Sequence, residues 1–141
     1  MSSNPDAVAD PEPSKDVSRD PDTVEKVKRW QRAVDGEVYF ESLPPEDRVM
    51  LAGWLWRMKK GLDFHDELYS ALAARRTVAI HERLIKSFTP EEADEYFLST
   101  DSDARNLAIG VMKRILKSPD YREEVEAARE LRRRKMLRED N

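Results

Sequence analysis

Apolar residues in this chain recur at three- and four-residue steps, and several of the stretches that carry them open on proline followed by acids. That pattern is the strongest constraint on the fold, because helices bury one side at this spacing and strands do not. Thr89-Pro90-Glu91-Glu92 is its sharpest instance. Thr89 can accept a backbone N–H, Glu92 can reach back to the N–H of Thr89, and Pro90 fits the first turn, where a missing N–H costs nothing. Pro44-Pro45-Glu46-Asp47 and Ser118-Pro119 read as further helix starts, with the acids suited to the positive end of the helix dipole.

Between these signals the expected elements follow in order. A first helix covers Thr23 to Val34, with Val24, Val27, Trp30 or Gln31, and Val34 at helical spacing and Asp35-Gly36 as its stop. Val38, Tyr39 and Phe40 form an extended connector, and a second helix, with Pro44 and Pro45 in its first turn, reaches Lys60 and is stopped by Gly61. A long third helix spans Asp63 to Ser87 on the stripe Phe64, Leu68, Ala71, Ala74, Val78, Ile85 and Phe88, with a second row at Leu72, Ile80 and Leu84. A short helix from Pro90 to Leu98 is followed by one bearing Leu107, Ala108, Val111, Met112 and Ile115, capped by Asp101 or Ser102. The last helix extends from Pro119 to Arg138. The fold expected is all-α, an irregular bundle of five or six helices. Gly53 and Gly110 lie inside helices, where glycine weakens the helix by about 1 kcal/mol relative to alanine, so close contact with a crossing helix is expected at both.

Charge separates a leader from this domain. Residues 1–23 hold six acids and two bases, which equals the whole net charge of −4, and the other 118 residues carry 23 of each sign. With four of the eight prolines and few apolar residues, residues 1–22 are expected to be a disordered acidic tail that either solubilises the protein or folds on a partner. Residues 23–141 form one expected helical domain, in which 119–141 is a charged helix able to project. No stretch approaches the ~20 apolar residues that span a bilayer, and the polar start lacks a secretory pattern, so the expectation is a cytoplasmic protein without membrane contact.

Composition argues against catalysis. The chain has no Cys, which removes thiolate metal sites, cysteine nucleophiles and disulfides, and its four scattered glycines build no phosphate-cradling loop. On one continuous third helix, His65 and His81 point about 160° apart and lie ~24 Å apart along the axis, too far to share a metal or substrate. Neither has the Glu-x-x-His spacing of a carboxylate-bridged metal bundle, since positions 62 and 78 are Leu and Val. His81 interrupts an apolar stripe and reads as a partly buried imidazole with a hydrogen-bond partner, with a pH-sensitive contact as the alternative. No catalytic residue, metal ligand or cofactor site is assigned.

Two surfaces remain as sites. In the second helix Trp54 aligns with Met50, Leu51 and Met58 as a core residue, whereas Trp56 is offset by about 200°. Trp56 with Arg57, Lys59 and Lys60 is the candidate protein interface, set against a reading in which this same domain covers Trp56. The end of the last helix carries Arg129, Arg132, Arg133, Arg134, Lys135 and Arg138 against the single acid Glu130. The helix dipole favours bases there, and six of them could also neutralise phosphates or meet an acidic protein. A helix-turn-helix reading of 90–98 and 103–117, with Arg105, Asn106, Lys113 and Arg114 on the second helix, is weakened by the acidity of the first. The function expected is a non-enzymatic adaptor or assembly subunit that contacts other proteins or itself. The alternative is a nucleic-acid-binding subunit of a larger complex.

Overall fold

A computed structural model describes residues 20–140; residues 1–19 of the expected 1–22 tail lie outside them, and Pro21 and Asp22 belong to the first helix. Seven α-helices and one 3-10 turn make up the described residues, without a strand among them: α1 (Pro21–Ser42), α2 (Pro45–Lys60), α3 (Phe64–Ala73), α4 (Thr77–Arg83), α5 (Pro90–Ser99), α6 (Ser102–Lys117), the turn Pro119–Tyr121, and α7 (Arg122–Asp140). The all-helical expectation holds, with one or two helices more than the five or six anticipated. The described residues divide into two compact units, 20–35 and 36–140.

In the first unit α1 starts two residues earlier than expected. Asp20 accepts from the backbone N–H of Asp22 at 3.2 Å and from the Thr23 hydroxyl at 3.1 Å, so it caps the helix and leaves Pro21 in the first turn. Gln31 donates to Asp35 at 2.9 Å one turn on.

The second unit corrects the expected stop at Asp35-Gly36. None of the described glycines has a positive φ, so Gly36 is not a left-handed terminator, and α1 continues through Val38, Tyr39 and Phe40 to Ser42. What Gly36 provides is proximity: a Cβ there would lie 2.7 Å from Asn106 Oδ1 and 3.3 Å from Ile109 Cδ1 on α6. Phe40 then stacks on Phe97 of α5 with centroids 3.9 Å apart. The expected connector is therefore a helical wall of the core.

At the centre lies α2, with every residue from Val49 to Leu55 buried. A helix apolar on all sides needs neighbours on all sides, and α3, α5, α6 and α7 supply them. Gly53 meets a tight neighbour, since a Cβ there would fall 2.5 Å from Ile85 Cγ2 and 3.0 Å from the Lys86 carbonyl. These belong to the α4–α5 loop and not to a crossing helix. The expectation fails at Gly110, where the nearest atom to a Cβ is Arg114 Nη1 at 3.6 Å.

The long third helix is broken. Arg75 adopts φ 58°, the Arg75 N–H donates to the Leu72 carbonyl at 3.2 Å, and the Arg76 N–H donates to the Ala71 carbonyl at 2.8 Å, which ends α3 in a left-handed turn. Glu124 of α7 holds the start of α4, its carboxylate accepting from the Thr77 N–H at 3.1 Å and the Thr77 hydroxyl at 2.7 Å. The 160° separation of His65 and His81 presumed one continuous helix and does not apply. Val125, Ala128 and Arg132 seat α7 in the core at three- and four-residue steps, so up to Arg132 it packs and does not project.

Candidate functional site

The four residues of the expected protein interface divide between different neighbours. Trp56 is half-buried against the small cluster of Val49, Ala52, Phe88 and Ala93, on which Met136 also packs, and the Lys60 ammonium sits 4.2 Å from its ring centroid. Arg57 turns toward α3, where it pairs with Glu67 and, at 3.7 Å, with Asp63. Lys59 lies 3.8 Å from Asp101 at the cap of α6. The second layer of the domain thus covers part of Trp56, and its exposed edge is shared with Lys60.

Lys59 and Lys60 do border an open apolar cleft. Leu55 and Met58 form its floor, Leu62 and Leu107 its walls, and it encloses about 350 Å³. Leu62 is 78% exposed and Leu107 51% exposed. Sequence reasoning passed over Leu62, although its place between Gly61 and Asp63, in the short break before α3, was a signal that no helix face would cover it.

At the end of α7 most of the bases are engaged within the chain. Arg129 grips Asp47 with two bonds, Nε to Oδ1 at 2.8 Å and Nη2 to Oδ2 at 3.1 Å, and donates to Glu126 at 2.7 Å. Burial works against this charge, yet the bonds to Asp47 and Glu126 outweigh it, so Arg129 holds its proton more tightly than an ordinary arginine. Arg133 reaches Glu46 at 3.5 Å and Glu130 at 3.3 Å, and Arg134 pairs with Glu130 at 3.4 Å. Lys135 donates to Ser87 at 2.9 Å. Arg138 is exposed. Arg132 corrects the expectation of a surface contact: it is 1% exposed, so no external phosphate reaches it.

Arg132 instead anchors a buried polar cluster with His81, which is fully buried. Its guanidinium donates to Ser87 Oγ at 2.6 Å and to the His81 carbonyl at 3.0 Å, and lies 3.1 Å from His81 Nδ1. Trp54 Nε1–H donates to His81 Nε2 at 3.1 Å. Trp54 and Arg132 can only donate, so neither ring nitrogen faces an acceptor for an added proton. Burial, then the charges of Arg132 and Lys135, hold the His81 pKa well below the ordinary 6.5. His81 has the hydrogen-bond partner expected of it but is fully buried where partial burial was expected, and it locks α2, α4 and α7 together.

The helix-turn-helix reading meets a similar obstacle. Arg105 is nearly buried, 3.2 Å from Glu37 and over the Phe97 ring, Asn106 lies against Gly36, and Lys113 sits over the Tyr39 ring at 4.6 Å. Arg105, Asn106 and Lys113 thus lie where α6 packs on α1 residues 36–39, and of the four residues of that reading Arg114 is the one left exposed without such a contact. Among the described residues no group of three or more histidines and carboxylates could hold a metal ion, and no helix is long and apolar enough to cross a membrane. No family model, curated protein or solved structure matches this chain.

Proposed function

We propose that this protein is a cytoplasmic, non-enzymatic helical adaptor or assembly subunit that works by binding protein partners, a second copy of itself included. The observation that carries the reading is the cleft at the end of α2, where Leu62 and Leu107 stand exposed above an apolar floor beside Lys59 and Lys60. Apolar anchors ringed by charge are how protein interfaces combine desolvation with orientation. Nucleic-acid binding through α7 draws less support, since a phosphate would first have to displace Asp47, Glu126 or Glu130 from the arginines.

Affinity capture with the intact protein and with a Leu62→Glu, Leu107→Glu double variant tests this reading, with circular dichroism confirming that the variant folds. The expected result is a set of proteins retained by the intact chain and lost with the variant. Identical sets from both would refute the assignment of this cleft. Retention of nucleic acid alone, at moderate salt, would favour the alternative function.

A further inference from the structure

The elbow between α3 and α4 leaves a second concave surface. It is lined by Ala71 and Ile80 at its buried floor, by Ala79 and the exposed Ala74 beside them and by Leu84 as its outer wall, and its volume is about 400 Å³. Ala71 and Ile80 are nearly buried, while Leu84 is 41% exposed. The alanines matter because small side chains let another backbone approach closely, so an aliphatic side chain from outside can reach the floor. Arg76 and Arg83 line the same groove. Neither has an ion-pair partner among the described residues, in contrast to the arginines of α7.

The groove is also set in place before anything enters it. Arg75 holds its left-handed turn, and Thr77 is tied to Glu124 of α7 by its N–H and its hydroxyl, so the two walls are braced from behind. A preformed site avoids the cost of ordering its walls on binding.

We propose that this groove docks an acidic amphipathic segment of a partner protein, whose aliphatic side chains enter over the alanines while its carboxylates meet Arg76 and Arg83. This rests on the adaptor reading and names the chemistry of a partner. The two unpaired guanidiniums select an acidic occupant by charge complementarity. The alanine lining offers no aromatic ring on which a nucleobase would stack, and its concavity keeps it from a flat bilayer. A protein segment fits both features.

Fluorescence anisotropy with a short labelled peptide of glutamates and leucines, the leucines at helical spacing, provides the test, with a lysine–leucine and a glutamate–serine peptide as controls. The glutamate–leucine peptide is expected to bind, more weakly as salt rises, while both controls bind at least about tenfold more weakly. Arg76→Glu with Arg83→Glu should weaken binding at least about tenfold, and Ala74→Trp, which fills the groove, should do the same. Urea unfolding of each variant separates lost binding from lost fold.

Equal affinity for the lysine peptide, or full binding by both variants once shown to be folded, overturns the proposal. A dimer in light scattering that Ala74→Trp dissociates would give the groove to a second copy and also overturn it. If the peptide fails while capture through Leu62 and Leu107 succeeds, this inference falls and the adaptor reading stands. If the peptide binds and that capture fails, the α2 cleft loses its role and this groove keeps its own.

Discussion

Lowering the pH should weaken this fold through His81, and the size of the effect follows from its surroundings. In the folded protein the imidazole is fully buried, with the donors Trp54 and Arg132 at its two nitrogens, and its pKa lies well below 6.5. In the unfolded chain it titrates near ~6.5. Below that pH the unfolded state binds a proton that the folded state refuses, so stability is complete above the unfolded pKa and falls as the pH drops beneath it. One such group costs up to about 1.36 kcal/mol per pH unit below ~6.5, which comes to about 1.4 kcal/mol between about pH 7.5 and about pH 5.5. The assay is urea unfolding followed by tryptophan fluorescence at several pH values, for the intact protein and for His81→Gln. The variant loses stability of its own at neutral pH, but the gap between the two proteins should narrow by about 1.4 kcal/mol at the acid end. Carboxylates titrate alike in both proteins and cancel in the difference. A gap that stays constant over that range would mean that His81 accepts a proton in the folded state, and the sealed cluster would be refuted.

Other expectations concern single positions. Gly110→Ala should stabilise the protein by about 1 kcal/mol, because the helix gains propensity and a Cβ there makes only an ordinary contact with Arg114 Nη1 at 3.6 Å, and a rise in Tm would show it. Gly53→Ala should instead destabilise by about 1–3 kcal/mol, since its Cβ would collide with Ile85 and with the Lys86 carbonyl, and an unchanged Tm would refute that close approach. Asp47→Ala should cost about 1–3 kcal/mol in urea unfolding, because Asp47 is 3% exposed and its loss removes two of the bonds to the part-buried Arg129 guanidinium, leaving only Glu126. An Asp47→Ala, Arg129→Met double variant should recover part of that loss. Arg75→Gly should stabilise by about 1 kcal/mol by relieving the left-handed backbone, and a loss of stability would show that the side chain matters more than the turn.

Which parts of this molecule were legible in advance depends on how far their causes reach along the chain. The helix starts rest on neighbours within a few residues, and they could be read. Thr89 and Glu92 exchange the two bonds of a capping box, at 3.2 Å and 3.0 Å. Asp101 caps α6 through the Ala104 N–H at 2.9 Å. Trp54 in the core follows from spacing in the same way. The elbow at Arg75 could not be read, because the apolar stripe runs on through it and Glu124, 47 positions from Thr77, holds the far side. Gly36 carries the sequence signature of a helix stop, yet its missing Cβ serves a contact with Asn106. Arg132 and Arg134 are equivalent members of one basic run in the sequence, and only the packing of α7 buries the first and leaves the second at the surface.

The candidate surfaces divide along the same line. Lys59 and Lys60 could be located from composition, but the cleft beside them exists only because Leu62 and Leu107, brought together from separate elements, stand over Leu55 and Met58. Arg76 and Arg83 became notable only once the pairing of the other arginines was known. What the sequence alone determined was helical content and helix beginnings, because capping and periodic apolarity act over a turn or two of chain. Where a helix passes through its own stop signal, which arginine is buried, and which leucines stay exposed were decided by tertiary packing. Each of those outcomes depends on atoms contributed from dozens of residues away.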